Sequence, residues 1–181
     1  PSAVATIAYD VTTGKQRWKV YHDGMNASAR PLMTPGGLLI LTNGMGKMVA
    51  VNPSGQGDIT DTHTVWMISK GVTRKPSQLI VGDRLFMISD KGIASAIDVA
   101  TGEIIWQERV GGAFSSSPIY DGEKIFACSE SGDIHMIRPG DTFQPLAKIK
   151  IGEGFKASPA VVNGQLILRS FSELYCFSAE D

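Results

Sequence analysis

AIDVATGEIIW (Ala96–Trp106) has a near twin close to the start of the chain, AYDVTTGKQRW (Ala8–Trp18). Both read A-x-D-x-x-T-G-x-x-x-W, so an acid, a Thr-Gly pair and an indole return at the same offsets. Each part has a physical role. Asp10 and Asp98 can accept hydrogen bonds from backbone amides a few residues on, closing a turn. Gly14 and Gly102 supply a left-handed conformation that a residue with a Cβ resists. Trp18 and Trp106 then enter a strand as large rigid faces, each with one N–H that seeks an acceptor. One phrase written twice in 181 residues asks first whether the whole chain is periodic.

It is. Trp18, Trp66 and Trp106 fall roughly 40–48 residues apart, and one more step reaches Leu146, where DTFQPLAKI takes the slot of GEIIWQERV. Four prolines, Pro31, Pro76, Pro118 and Pro159, mark the same period, and each opens a matching phrase: RPLMTPGGLLILT, KPSQLIVGDRLFMIS, SPIYDGEKIFACS and SPAVVNGQLILRS. Inside each phrase a short apolar run, a turn and a second run rich in Leu, Ile, Phe and Met spell a β-hairpin. The turn pairs Gly36-Gly37, Gly82-Asp83, Asp121-Gly122 and Asn163-Gly164 tolerate the positive φ that tight hairpins need. A second break (NGMGK, SDKG, SESG, SFSE) precedes a third strand (MVAV, IASAID, DIHMIR, LYCF), and the A-x-D-x-x-T-G turn leads to a fourth carrying the Trp. No stretch holds a 3.6-residue apolar rhythm, so no helix longer than a turn is expected.

Four short antiparallel strands at this period are the signature of a β-propeller blade, and the G-H and W-D marks of WD40 blades are missing. The chain is therefore expected to be all-β, a partial β-propeller of about four blades. The motif resembles the PQQ-like β-propeller repeat, whose tryptophan-docking phrase has this form; that resemblance covers nearly the whole chain and is specific to repeat type, not to an activity. The repeat beginning AVNPSGQGDITDTHTVW keeps Ala50, Asn52 and Trp66 around a longer turn, read as a solvated, protruding loop despite its Asp58, Asp61 and His63. The next departure, MIRPGDTFQPL, is read as keeping the length and placing Leu146 where Trp stands elsewhere. One propeller segment over residues 1–181 divides into a partial blade 1–24, blades 25–70, 71–111 and 112–152, and an incomplete blade 153–181. Such a segment is expected to be a piece of a larger ring, able to self-associate through its open edges.

The bulk composition narrows the function classes. Seventeen basic against eighteen acidic side chains give a formal charge of -1, which offers nucleic acid and anionic membrane no general attraction. The apolar runs are far shorter than the roughly 20 residues of a membrane span. Cys128 and Cys176 are too far apart for a C-x-x-C site, and both are read as buried thiols acting as small hydrophobes. His22, His63 and His135 stand in different repeats without ligand spacing, so no metal site is expected.

The resemblance implies two opposed readings. Quinoprotein dehydrogenases of this superfamily hold PQQ and calcium with a stacking Trp, a carboxylate base and a disulfide between adjacent cysteines; here no cysteines adjoin and all three tryptophans occupy docking slots. The non-enzymatic branch, the outer-membrane protein assembly lipoproteins, implies a scaffold for a protein or other macromolecular ligand in the bacterial periplasm or cell envelope, the chain being periplasmic or secreted, with no cofactor and no nucleic acid. A PQQ-dependent dehydrogenase fragment and a carbohydrate-binding propeller are the alternatives. Residues just before the repeat prolines, Arg30, Arg74, Lys75, Ser115 and Lys156, form the candidate ligand-binding collar at the channel mouth. Asp10, Gly14, Trp18, Trp66, Asp98, Gly102 and Trp106 are assigned to structural docking between blades.

Overall fold

The computed structural model describes residues 1–178. β1 (Ala5–Tyr9) and β2 (Gln16–Tyr21) open the fold as an antiparallel pair. β3 (Leu32–Met33), β4 (Leu39–Thr42) and β5 (Met48–Val51) follow, and then β6 (Gly57–Asp58), the one-turn helix α1 (Thr60–His63) and β7 (Thr64–Ile68). The next two groups of four are β8 (Leu79–Val81), β9 (Arg84–Ile88), β10 (Ile93–Asp98), β11 (Ile104–Arg109) and β12 (Ile119–Tyr120), β13 (Ile125–Cys128), β14 (Asp133–Arg138), β15 (Gln144–Lys150). β16 (Ala160–Val162), β17 (Gln165–Arg169) and β18 (Leu174–Ser178) end it.

These strands make five sheets, taken here as blades 1 to 5: β1-β2-β6, β3-β4-β5-β7, β8-β9-β10-β11, β12-β13-β14-β15 and β16-β17-β18. All neighbours are antiparallel except β6, which runs parallel to β2. The chain is a nearly all-β partial propeller.

Successive side chains on a strand point to opposite faces, and the middle strands of blades 2, 3 and 4 are largely buried on both. This is why RLFMI and IFAC read as unbroken apolar runs rather than alternating ones. On β9, Leu85 and Met87 join Ile40, Met48, Ala50 and Trp66 of blade 2, while Phe86 joins Ile125 and Ile137 of blade 4. The same sharing builds a core between blades 1 and 2 around Trp18, Val20, Leu41 and Val49, and one between blades 4 and 5 around Phe126, Cys128, Phe155 and Leu168. Every core thus lies between sheets. Burying a side chain such as Leu85, which is 0% exposed, contributes about 1.5–3 kcal/mol.

The turns carry their own devices. Asn163 and Gly164, at φ 51 and 75, make the two-residue hairpin between β16 and β17 with both central residues left-handed. The second break of every repeat is closed by one side chain: Asn43 Oδ1, Ser89 Oγ, Ser129 Oγ and Ser170 Oγ accept the amides of Lys47, Ile93, Asp133 and Glu173 at 2.9, 3.1, 2.9 and 2.9 Å.

Four expectations from sequence need correction. First, Leu79 and Ile119 are equivalent through their partners Phe86 and Phe126, so Gln78, not Pro76, fills the slot of Pro118; the loop before β8 is two residues longer than the proline spacing implied. Second, Trp18, Trp66 and Trp106 pair across from Ala8, Ala50 and Ala96, but their counterpart in blade 4 is Ala147, paired with Met136. The turn before β15 holds one extra residue, which puts Leu146 at the bulge. There the bulk is exchanged, a large residue on β14 facing a small one on β15.

Third, the long turn of blade 2 is not a solvated protrusion. Gly57 and Asp58 pair with Trp18 and Lys19, and Ile59 is 0% exposed, packed among Trp18, Val20, Leu41, Val49 and Val51. One apolar residue between two acids was enough to pull the loop onto the open edge of blade 1, where the amides and carbonyls of β2 needed partners. Fourth, Cys128 is buried, its thiol pushed up to about 12 by burial, but Cys176 is exposed. The pleat turns Tyr175 toward blade 4 and Cys176 to the opposite face.

Candidate functional site: blade junctions and the groove across the inner strands

The docking phrase folds as a unit. Asp98 Oδ1 accepts the amides of Ala100 and Thr101 at 3.0 Å each and the Thr101 hydroxyl at 3.1 Å. Asp10 Oδ1 does the same with Thr12, Thr13 and the Thr13 hydroxyl at 3.1, 2.9 and 3.0 Å. These bonds favour the ionised form, led by the amide of Thr101 for Asp98 and of Thr13 for Asp10, and hold both carboxyls below the ordinary 3.8. Gly102 and Gly14 follow at φ 75 and 68.

The indole then crosses to the next blade. Trp66 Nε1–H donates to the Val99 carbonyl at 3.1 Å, and Trp106 Nε1–H donates to the Gly140 carbonyl at 2.9 Å. A Cβ on Gly102 would stand 2.7 Å from Cδ2 of the Trp66 ring. The glycine is therefore required twice, for its φ and for the flat face that rests on it. Gly14 has the same backbone but open space around it. Trp106 makes an edge contact with Phe143, ring centroids 5.2 Å apart. Arg84 adds a charged clasp, with Nη1 at 3.0 Å from Asp98 Oδ2 in its own blade and Nε at 2.7 Å from Asp141 Oδ1 in the next. These rings and carboxylates are occupied in holding blades together. A quinone would need such a ring free on one face.

The five collar residues do not all line one groove. Arg30 lines a groove of about 650 Å³ that crosses the inner strands β3, β8 and β12. Arg74 lies on a different cleft, of about 250 Å³, with Met45, Asp90 and Lys91. The backbone amides of Arg74 and Lys75 are held by the two oxygens of Asp90 at 2.8 and 3.1 Å. The Ser115 hydroxyl is given to Glu130, and Lys156 Nζ lies 5.9 Å from the centre of the Phe171 ring.

What the structure does place in a row is a hydroxyl staircase that the sequence reading missed. The Arg30 amide donates to Ser77 Oγ, the Ser77 amide to Ser117 Oγ, and the Ser117 amide to Ser158 Oγ, each at 2.9 Å. Each bond steps from one blade to the next along the 650 Å³ groove, and each serine hydroxyl, used as an acceptor, keeps its proton to donate. Every residue lining that groove is neutral apart from Arg30. Gln78, 1% exposed, lies beneath it with neither amide atom bonded. The signal was visible as a serine before Pro118 and Pro159 and after Pro76, but the displaced proline hid its register.

Among the described residues no group of three or more His, Cys, Asp or Glu is placed to hold a metal ion. No helix among them is long and apolar enough to cross a membrane.

Comparison with known proteins agrees with this geometry. The sequence model of the outer membrane protein assembly factor BamB matches residues 3–143, well over half the chain. The chain belongs to the BamB family. It is similar to the outer membrane protein assembly factor BamB of Burkholderia pseudomallei (strain K96243), with 26% identity over 125 residues, 67% of this chain and 32% of that protein. The crystal structure of BamB from Moraxella catarrhalis superposes with a TM-score of 0.72 at 20% identity, covering 98% of this chain and 56% of that one. The computationally designed Ika8 protein gives a TM-score of 0.74 at 8% identity, over 94% of this chain and 51% of its own. At such identities the two structures report the fold alone. The chain spans about a third of the curated relative and about half of the solved chains.

Proposed function

We propose that this BamB-family chain is a non-catalytic scaffold of the bacterial periplasm or cell envelope that binds protein partners, in the service of outer-membrane protein assembly. The observation that carries the reading is the commitment of its aromatic and acidic repeat residues to blade junctions, within a family described as an assembly factor. A propeller held together in this way offers rigid faces and grooves, on which recognition needs no reagent of its own. The groove along the serine staircase is the surface best suited to such use. It presents hydroxyl donors and Arg30 above apolar Leu32, Met33, Ile80 and Ile119, and no carboxylate lines it. Hydroxyl donors and one cation, with no carboxylate beside them, favour an acceptor-rich or anionic ligand.

The test sets the two branches of the superfamily against each other. The chain, placed in the periplasm with a photo-crosslinking residue at Tyr120 on the groove wall, is expected to form adducts with defined outer-membrane assembly proteins. With PQQ and calcium it is expected to give no alcohol- or sugar-dependent dye reduction. Robust turnover, or an absence of adducts at the groove, overturns the reading.

A further inference from the structure

The fold contains its own example of a docked strand. Gly57 and Asp58 lie parallel to β2 in register with Trp18 and Lys19. The Ile59 amide donates to the Lys19 carbonyl at 2.9 Å, the Tyr21 amide donates to Thr60 Oγ1 at 2.9 Å, and Ile59 drops fully buried into the gap between blades 1 and 2. A glycine at φ 71, an acid and an apolar residue at φ -108 and ψ 9 therefore suffice to cap an outer edge and plug a blade junction.

The edge of blade 3 has the same construction without the cap. Trp106 corresponds to Trp18, so Gln107 corresponds to Lys19 and Arg109 to Tyr21. β11 is an outermost strand with no neighbour on its far side among the described residues. The place matching that of Ile59 is not filled: an open groove of about 380 Å³ runs between blades 3 and 4, lined by Val110, His135, Ile137, Phe143 and Lys148, with Arg109 at its rim. His135, where blade 2 has Val49, is 6% exposed and its Nε2 has no hydrogen-bond partner. In blade 3 the equivalent polar residue, Ser95, is satisfied by Gln107 at 3.1 Å. Lys148, the counterpart of Gln107, turns instead to Asp133 at 3.4 Å, and the groove stays open.

We infer that the outer edge of β11 and the groove between blades 3 and 4 form a docking site for a short strand-pairing segment of a protein partner, of glycine–acidic–apolar sequence. The segment runs parallel to β11. Its backbone pairs with the Gln107 carbonyl and the Arg109 amide, its carboxylate lies on the face shared by Gln107 and Arg109, and its apolar side chain enters the groove over Ile137 and Phe143. The inference rests on the protein-binding reading above but uses a different surface.

Fluorescein-labelled octapeptides copying residues 55–62, GQGDITDT, are the probe, titrated into the full chain by anisotropy. The expected result is saturable binding, weakened about tenfold or more when the peptide isoleucine becomes alanine, and weakened again when its first aspartate becomes lysine. Arg109→Glu, at an exposed position, is expected to reverse that charge preference. In amide exchange, Gln107 and Arg109 gain protection while Trp106 and Glu108 do not change. No binding at about 1 mM peptide, or protection at other strands, overturns the inference. Protection of the same amides that rises with protein concentration alone assigns the edge to a second copy and overturns it equally. Loss of peptide binding with groove crosslinks intact refutes this site alone.

Discussion

Replacing Gly102 with alanine separates two effects that the docking phrase combines. The residue sits at φ 75, where a Cβ costs about 1–2 kcal/mol in backbone strain. The added methyl also lands 2.7 Å from Trp66 Cδ2 and 2.9 Å from Cγ and Cε3. Trp66 is 8% exposed and tied to Val99, so its ring has little room to retreat, and overpacking of this kind costs about 1–3 kcal/mol more. Gly14→Ala provides the internal control, with φ 68 and nothing within 4 Å of the new methyl. Gly102→Ala is therefore expected to cost about 2–5 kcal/mol and Gly14→Ala about 1–2. In a chain of this size the difference amounts to several degrees in Tm, about 2–4 °C for each kcal/mol. Urea denaturation followed by circular dichroism and tryptophan fluorescence measures both. Equal losses in the two variants would refute the claim that the ring of one blade rests on the glycine of the next.

Three further outcomes follow from the packing. Ile59→Ala is expected to cost about 2–4 kcal/mol and to expose the Tyr21 amide to exchange; a change within about 0.5 kcal/mol would mean the long turn is solvated after all. Trp106→Phe should lose about 1 kcal/mol with the bond to Gly140, and Trp106→Ala about 3–5, both read from urea midpoints; a Phe variant as stable as the native chain would contradict the hydrogen bond, and equal losses would contradict the packing. Burial holds the imidazolium of His135 below its ordinary 6.5, with the charge of Lys148 adding to the effect. The unfolded chain then binds the proton more readily, so this residue's share of stability is intact above pH about 6.5 and falls as pH drops toward the folded value. His135→Val, copying Val49 of blade 2, should flatten that slope. His22, lowered chiefly by burial too, retains its own part. An unchanged slope would sink the assignment.

Strand order and hairpin turns were legible in the sequence because they are local: turn pairs with left-handed propensity and apolar runs buried on both faces declare themselves within a dozen residues. What was not legible depends on register between strands. Pro76 kept the period of its fellows yet stands two places from their slot, because a loop can lengthen without changing the count between landmarks. Leu146 was placed by arithmetic, whereas the bulge on β14 and β15 moved the slot to Ala147, where Met136 supplies the missing bulk. Ile59 was hidden by its acidic neighbours, and only the free edge of β2, a distant element, explains its burial. The collar residues depend on register in the same way. Arg30, Arg74, Lys75, Ser115 and Lys156 stand one to three places before their prolines, and Arg30 and Arg74 line different clefts, while Ser77, Ser117 and Ser158 share a wall through bonds between blades. Trp18, Trp66 and Trp106 stood out because no turn chemistry accounts for a recurring indole.

Indole N–H groups of one blade held by the turn of the next join the blades. Solvent exchange of the indole protons, resolved in a nitrogen-15 correlation spectrum, measures this directly. Trp66 and Trp106 Nε1–H are predicted to exchange slowly, Trp66 the slower because its ring is the more deeply buried, and both are predicted to become fast together as the blades separate in denaturant. Rapid exchange of both protons in the native protein would contradict it.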